Sequence, residues 1–194
     1  MEKQKRVAIF ASGSGTNFEA LATLAEQGQL PIKVVLMVCD QPQAYVIERA
    51  KQHNIEALVL SPKTFTNKAA YEQTIVDKLQ SLQVDFICLA GYMRIVSDTL
   101  LNAFPQRIIN IHPALLPSFK GAHAIDDAFN FGVKVFGVTV HIIDQTVDGG
   151  TILAQRGFEY HGTSRDEVEA KIHEIEHVLY GEAVTLFCQT LDKQ

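Results

Sequence analysis

The residue types that can do chemistry lie closest together at Asn110-Ile111-His112-Pro113, where an amide and an imidazole stand two residues apart at the end of an apolar run. Residues two apart on a strand share a face. Arg107-Ile108-Ile109 reads as a short buried strand, and Pro113, which cannot donate to a ladder, ends it and leaves Asn110 and His112 pointing together into the space beyond. An Asn amide carries two N–H donors suited to a developing oxyanion, and His gives and takes protons near neutrality. A hydrogen-bonded strand end with a buried His would use the same residues, so their company decides.

Two further constellations supply that company. Ala11-Ser12-Gly13-Ser14-Gly15-Thr16-Asn17 leaves a first apolar run and enters a helical segment, Phe18 to Gln27. Two glycines let the backbone turn tightly and approach an anion, and the N–H groups and dipole of a helix start favour negative charge, so phosphate is the natural ligand. The dinucleotide fingerprint needs glycine where Phe18 stands, and the ATP-binding loop needs Gly-Lys before Ser or Thr, so both familiar motifs fail. Asp40, ending the second apolar run, keeps one element of a dinucleotide site, the acidic ribose ligand. A glycine turn capped by Thr16 or Asn17 with no ligand is the plainer alternative.

The third constellation is Asp144-Gln145-Thr146-Val147-Asp148-Gly149-Gly150, in which Asp148 before two glycines is ordinary turn chemistry. If the strand Val135 to Ile143 runs beside the His112 strand, the loop after it brings Asp148 to His112. A carboxylate there orients the imidazole and favours its protonated form. His141, on the same strand, reads first as a satisfied core histidine and second as a partner of the site.

The elements that must position these residues follow from hydropathy. Val7 to Ala11, Ile32 to Cys39, Ala57 to Leu60, Phe86 to Leu89 and Arg107 to Asn110 read as strands, with amphipathic helices between them. This rhythm predicts an α/β fold, an open, mostly parallel twisted sheet with helices on both faces. Such sheets bind ligands beyond the carboxyl ends of their strands, where strand order reverses, so the strand endings are expected to line one crevice. Later come a short helix at Ala124 to Phe131, the strand Val135 to Ile143 and a further strand Thr151 to Arg156. Ser164-Arg165-Asp166-Glu167 is a capping box opening a long C-terminal helix, on which Val168, Ile172, Ile175, Val178, Leu179 and Leu186 keep a helical period. No linker, repeat or low-complexity stretch interrupts residues 1–194, which read as a single domain.

Composition narrows the partners. With 17 Lys+Arg against 22 Asp+Glu the formal charge is -5, and no basic block follows a phosphate backbone, which argues against nucleic acid as a principal partner. Cys39, Cys88 and Cys188 are far apart and fall in apolar segments, suiting reduced thiols in a reducing compartment, so the cytoplasm is the expected location. Met1 to Arg6 pass directly into Val7-Ala8-Ile9-Phe10 without a long apolar core or cleavage signal, and no run approaches membrane-spanning length. A chain of this length buries roughly 70% of its unfolded surface and needs no metal or disulfide staple.

Taken together, these residues resemble the glycinamide ribonucleotide formyltransferases of purine synthesis, and the likeness covers nearly the whole length of the chain. The likeness rests on Ser12-Gly13-Ser14-Gly15-Thr16-Asn17, on Leu89-Ala90-Gly91-Tyr92-Met93-Arg94-Ile95-Val96, on Asn110-Ile111-His112-Pro113-Ala114-Leu115-Leu116-Pro117-Ser118-Phe119-Lys120-Gly121, and on Gly137-Val138-Thr139-Val140-His141 running on to Asp148-Gly149. It implies a single Rossmann-like formyltransferase domain whose N-terminal part binds a ribonucleotide phosphate and whose C-terminal part binds folate.

The resemblance also assigns roles. It implies formyl transfer from 10-formyltetrahydrofolate, a co-substrate, to the amine of 5-phosphoribosylglycinamide, with no metal. His112 matches the proton-transfer group, Asn110 the donor to the formyl oxygen, and Asp148 the residue that tunes and positions His112. Gly15, Thr16, Asn17 and Glu176 match the ribonucleotide-binding positions. Lys68, Met93, Arg94, Ile95, Val96, Asn110 and Asp144 match folate-binding positions, with the loop Asp144 to Asp148 closing over the pterin. In Asp148-Gly149-Gly150 many relatives have other small residues after the Asp, and Ala122-His123-Ala124-Ile125 is a variable stretch of the substrate loop. The implied partners are the two small molecules alone, in a monomer or homodimer. A methionyl-tRNA formyltransferase would add a basic nucleic-acid-binding domain and a 10-formyltetrahydrofolate hydrolase a regulatory one. A nucleotide-binding sensor would keep the phosphate loop and dispense with the trio.

Overall fold

Val7 to Ala11 are five consecutive residues with no exposed surface, which a strand achieves only when both of its faces are covered. They belong to the first strand of a computed structural model that describes residues 4–193. The reading of a leaderless N-terminus falls partly on residues 1–3, outside the described residues.

In chain order the elements are β1 (Lys5–Ala11), α1 (Thr16–Glu26), β2 (Ile32–Cys39), α2 (Val46–Gln52), β3 (Ala57–Val59), a 3-10 turn (Pro62–Thr64), α3 (Lys68–Ser81), β4 (Phe86–Leu89), α4 (Asp98–Ala103), β5 (Ile108–His112), α5 (Ala124–Phe131), β6 (Val135–Ile142), β7 (Ile152–Glu159) and α6 (Arg165–Leu191). The fold is α/β, with a seven-stranded sheet in the order β3-β2-β1-β4-β5-β6-β7. Internal contacts divide the chain into two compact units, one ending at Ile109 and the other beginning at Asn110.

In the first unit β1 pairs in parallel with β2 on one side and β4 on the other, and β2 pairs in parallel with β3. Strand order therefore reverses at β1, the position where open α/β sheets take ligands. One side chain ties the strand ends together there. The Ser12 hydroxyl donates to Asp40 at 2.6 Å and accepts from the Met93 N–H at 2.9 Å, while the Ser12 N–H donates to the Gly91 carbonyl at 3.0 Å. The segment after β4 is held at its far end by a buried carboxylate. Glu72 of α3, 4% exposed, accepts the N–H of Ser97 at 2.9 Å and of Leu100 at 3.3 Å, and the Ser97 hydroxyl as well. Ser97 makes no capping bond with its own side chain, so α4 is capped from α3 instead.

In the second unit β6 and β7 form an antiparallel pair, with a register shift between Val140 and His141. β6 is buried from Phe136 to Ile142, while β7 is largely exposed, as an edge strand is. The capping box of α6 closes through a relay. The Ser164 side chain accepts the Glu167 N–H at 3.3 Å, and the Glu167 carboxylate accepts the Tyr160 hydroxyl, which in turn accepts the Ser164 N–H at 2.9 Å. Val168, Ile172, Ile175 and Leu179 lie in the buried stripe of α6, which continues through Ala183 and Phe187. Val178 and Leu186, expected in that stripe, are 53% and 50% exposed. Each precedes a stripe residue by one position, about 100° around the helix, and so falls on its flank.

Glu72→Ala should lower the unfolding free energy by about 2–3 kcal/mol, because two buried N–H groups and a hydroxyl lose a charged acceptor. Urea unfolding followed by circular dichroism measures this, and an unchanged midpoint would show that Glu72 does not anchor the segment.

Candidate active site

Pro113 lacks the N–H that would extend the ladder, and β5 ends at His112, with Asn110 and His112 on one face. β6 answers with its own alternate residues Gly137, Thr139 and His141. Thr139, fully buried, donates its hydroxyl hydrogen to the Ala114 carbonyl at 2.7 Å and accepts the Leu116 N–H at 3.0 Å. Gln155 of β7 donates its amide to the Leu116 carbonyl and to Thr139, both at 2.9 Å. A side chain on Gly137 would come within 2.6 Å of Leu115, so the bare backbone lets the segment after β5 lie close. The Leu116–Pro117 peptide in that segment is cis.

His141, 1% exposed, is bonded at both ring nitrogens. Nδ1 lies 2.7 Å from the Gly149 carbonyl, which can only accept, so this nitrogen carries the proton. Nε2 lies 3.1 Å from Asn110 Nδ2 and accepts one of its hydrogens. Burial pushes the His141 pKa down despite the Gly149 carbonyl and the nearby Asp148, so the ring stays neutral and the direction of both bonds is fixed. The Asn110 amide is thereby oriented, with a second N–H to offer.

His112, 4% exposed, donates from Nε2 to the Phe119 carbonyl at 2.8 Å, and its Nδ1 faces Asp148 Oδ1 at 3.6 Å. The other carboxylate oxygen of Asp148 accepts the Gly121 N–H at 2.6 Å. Phe119 and Asp148, the two residues that face the imidazole, both adopt left-handed backbone conformations, with φ of 53° and 47°. Non-glycine residues in that region cost about 1–3 kcal/mol each and persist where the surroundings determine them.

The loop that delivers Asp148 is shaped by its own chemistry. Asp144 accepts the Thr146 N–H at 2.7 Å and the Thr146 hydroxyl at 2.6 Å, and these bonds hold its carboxyl below the ordinary range. A Cβ on Gly149 would collide with the Thr146 hydroxyl, and one on Gly150, at φ 87°, with the Ile142 carbonyl. The Asp148-Gly149-Gly150 sequence is therefore steric in origin, including the second glycine.

In the first unit the loop after β1 enters α1 through Gly15, at φ 74°, and no side chain caps the helix. α1 begins at Thr16, two residues before the expected start, so Thr16 and Asn17 belong to its first turn and do not cap it. Asp40, 3% exposed, is held by Ser12, and so does not face a ribose as a dinucleotide site would require. In the segment after β4, Met93 and Ile95 are 73% and 67% exposed, while the Arg94 guanidinium lies 5.6 Å over the Tyr71 ring and 3.8 Å from Asp40. Lys68 opens α3 and is exposed. Glu176 of α6, 5% exposed, lies 2.8 Å from His173 Nδ1 and pushes the His173 pKa up. Among the described residues no group of three or more His, Cys, Asp or Glu could hold a metal ion.

Residues 5–184 match the formyl transferase family. The chain belongs to that family. It is 48% identical over 178 residues to the phosphoribosylglycinamide formyltransferase of Bacillus subtilis, covering 91% of each chain. It is 36% identical to the Haemophilus influenzae enzyme of the same name, over 95% of this chain and 88% of that one. Among solved structures, glycinamide ribonucleotide transformylase 1 of Geobacillus kaustophilus superposes with a TM-score of 0.93 at 48% identity, over 95% of this chain and 98% of that one.

Within the family fold the structure brings Asn110, His112, His141 and Asp148 together in the second unit. From residue order alone His141 ranks only second as a site partner, and Thr139, Gln155 and the backbone groups of Phe119 and Gly121 are not singled out. The alternation Gly137-Val138-Thr139-Val140-His141 was the available signal for Thr139, since period two puts it on the face of His141. The backbone partners leave no trace in residue type.

At pH 6.5, the ordinary imidazole value, His141 should be mostly neutral with its proton on Nδ1, while His53, raised by its Glu26 and Glu19 partners against the lowering effect of burial, and His173 should be mostly charged. Nitrogen NMR of the ring signals reports all three. If His141 were mostly protonated at that pH, the ordering would be wrong and the fixed orientation of Asn110 would be lost.

Proposed function

We propose that this chain transfers the formyl group of 10-formyltetrahydrofolate to the amine of 5-phosphoribosylglycinamide, as the names of its relatives describe, in de novo purine synthesis. The observation that supports this most is the pairing of an oriented Asn110 amide with a His112 that faces a carboxylate.

The amine nitrogen attacks the formyl carbon and a tetrahedral oxyanion forms. Its collapse breaks the bond to the folate nitrogen. Over the cycle the amine loses one proton and the folate nitrogen gains one. Asn110 donates its second N–H to the oxyanion, which in a water-poor site is typically the largest single contribution. His112 carries the proton, with the Asp148 carboxylate 3.6 Å from its Nδ1 as the residue that positions it.

Gly15, Thr16, Asn17 and Glu176 take the ribonucleotide in this reading, the first three through N–H groups at the start of α1. Lys68, Met93, Arg94, Ile95, Val96, Asn110 and Asp144 take the folate. The exposed apolar side chains of Met93 and Ile95 suit a flat ring. The loop Asp144 to Asp148 closes over the pterin. Among the described residues no helix is long and apolar enough to cross a membrane. Cys39, Cys88 and Cys188 are buried free thiols, which suit a reducing compartment, and the reading takes the protein as a cytoplasmic monomer or homodimer.

Purified protein given 10-formyltetrahydrofolate should release tetrahydrofolate only when 5-phosphoribosylglycinamide is added. Release without the amine would mark a hydrolase. His112→Ala should lower kcat by about 10²- to 10⁴-fold with both KM values nearly unchanged. A mutant retaining more than about a tenth of the turnover would sink the role given to His112.

A further inference from the structure

The loop between β1 and α1 is clamped from behind by α2. The Val46 N–H donates to the Gly13 carbonyl at 3.2 Å, and Arg49 Nε donates to the Ser14 carbonyl at 2.8 Å. The next carbonyl, that of Gly15, accepts the Glu19 N–H at 2.9 Å within α1. In a trans peptide the N–H points opposite to the C=O. Turning the carbonyls of Gly13 and Ser14 toward α2 therefore turns the N–H groups of Ser14 and Gly15 away from it, and the α1 hydrogen bond orients that of Thr16. A row of N–H groups on one side is an anion-binding concavity.

Arg49 is itself fixed from three directions. Its guanidinium lies 5.0 Å over the Tyr45 ring, and Nη1 pairs with the Glu19 carboxylate at 3.2 Å. Glu19 is held in turn by His53 Nε2 at 3.0 Å, and His53 Nδ1 reaches Glu26 at 2.8 Å, so α1 and the end of α2 are laced together along that side. The fit leaves no slack at the loop, because a Cβ on Gly15 would stand 2.6 Å from Val46 Cβ. With its charge matched by Glu19 and its Nε on a carbonyl, Arg49 serves the loop's geometry.

We propose that Arg49 is a positioning residue for phosphate recognition, holding the Ser14 peptide so that the loop presents N–H groups to the ribonucleotide phosphate. This rests on the reading of that loop as the phosphate site. The test is steady-state kinetics of wild type, Arg49→Ala and Arg49→Lys with 5-phosphoribosylglycinamide and with its dephosphorylated nucleoside. Lysine keeps the charge but has a single donor nitrogen, which cannot serve Ser14 and Glu19 together.

Arg49→Ala should raise the KM for the phosphorylated substrate by roughly 10-fold or more, with a smaller rise in Arg49→Lys. In both, kcat, the KM for 10-formyltetrahydrofolate and kcat/KM on the nucleoside should stay within about twofold of wild type, a split that general destabilisation would not produce. If wild type itself uses the nucleoside as well as the phosphorylated substrate, the phosphate site is misplaced whatever Arg49 does. If wild type discriminates and Arg49→Ala discriminates equally, the inference is overturned. It is also overturned if Arg49→Lys equals wild type while Arg49→Ala is impaired, since charge alone would then suffice. Should Arg49→Ala fail to fold, Arg49→Lys carries the same comparison.

Discussion

The second unit of this protein is organised around a buried imidazole. His141 takes the Asn110 amide on one nitrogen and the Gly149 carbonyl on the other, so β5, β6 and the loop between β6 and β7 are joined at one ring. Were that ring charged, Nε2 would become a donor facing the Asn110 amide, and either the amide would flip or the bond would break. The cost of burying the charged form thus favours the neutral ring, in which one Asn110 N–H is taken by Nε2 and the other is left over.

Around this centre the second unit faces His112 with two residues on strained backbone. Phe119 offers its carbonyl to His112, and Asp148 its carboxylate, each from a left-handed conformation that a non-glycine residue adopts only when held. Asp148 is held by the Gly121 N–H and by the tight turn that Asp144, Thr146 and Gly149 build. The first unit follows the same logic with different means. Ser12, with Asp40 behind it, and Glu72 fix the two ends of the segment after β4, while α2 supports the loop after β1. The loops that the proposed function uses are each supported by side chains standing behind them.

Much of this was legible in residue order. Strands β2 and β4 match their apolar runs, because a buried parallel strand is a continuous hydrophobic stretch bounded by turn residues. Asn110 and His112 were visible because period two and Pro113 together determine a strand end. Asp148 could be placed only conditionally, since its approach to His112 depends on β6 and its loop. His141 was harder, because a buried histidine and a site histidine have the same sequence signature until the partners of both nitrogens are known. The Phe119 carbonyl, the Gly121 N–H and the relay through Tyr160 are backbone or long-range contacts, and composition does not encode them. The flank positions Val178 and Leu186 show the limit of helical periodicity over a long helix, where an apolar residue one position off the stripe still looks periodic.

In the proposed mechanism Asp148 acts through His112 and not independently of it. A double-mutant cycle in kcat/KM over wild type, Asp148→Asn, His112→Ala and the double mutant tests this directly, because residues that act as one unit are strongly non-additive. Asp148→Asn should cost activity in the wild-type background and almost nothing further once His112 is gone. Fully additive losses would contradict that mechanism, and would leave Asp148 as a loop residue whose proximity to the imidazole has no catalytic consequence.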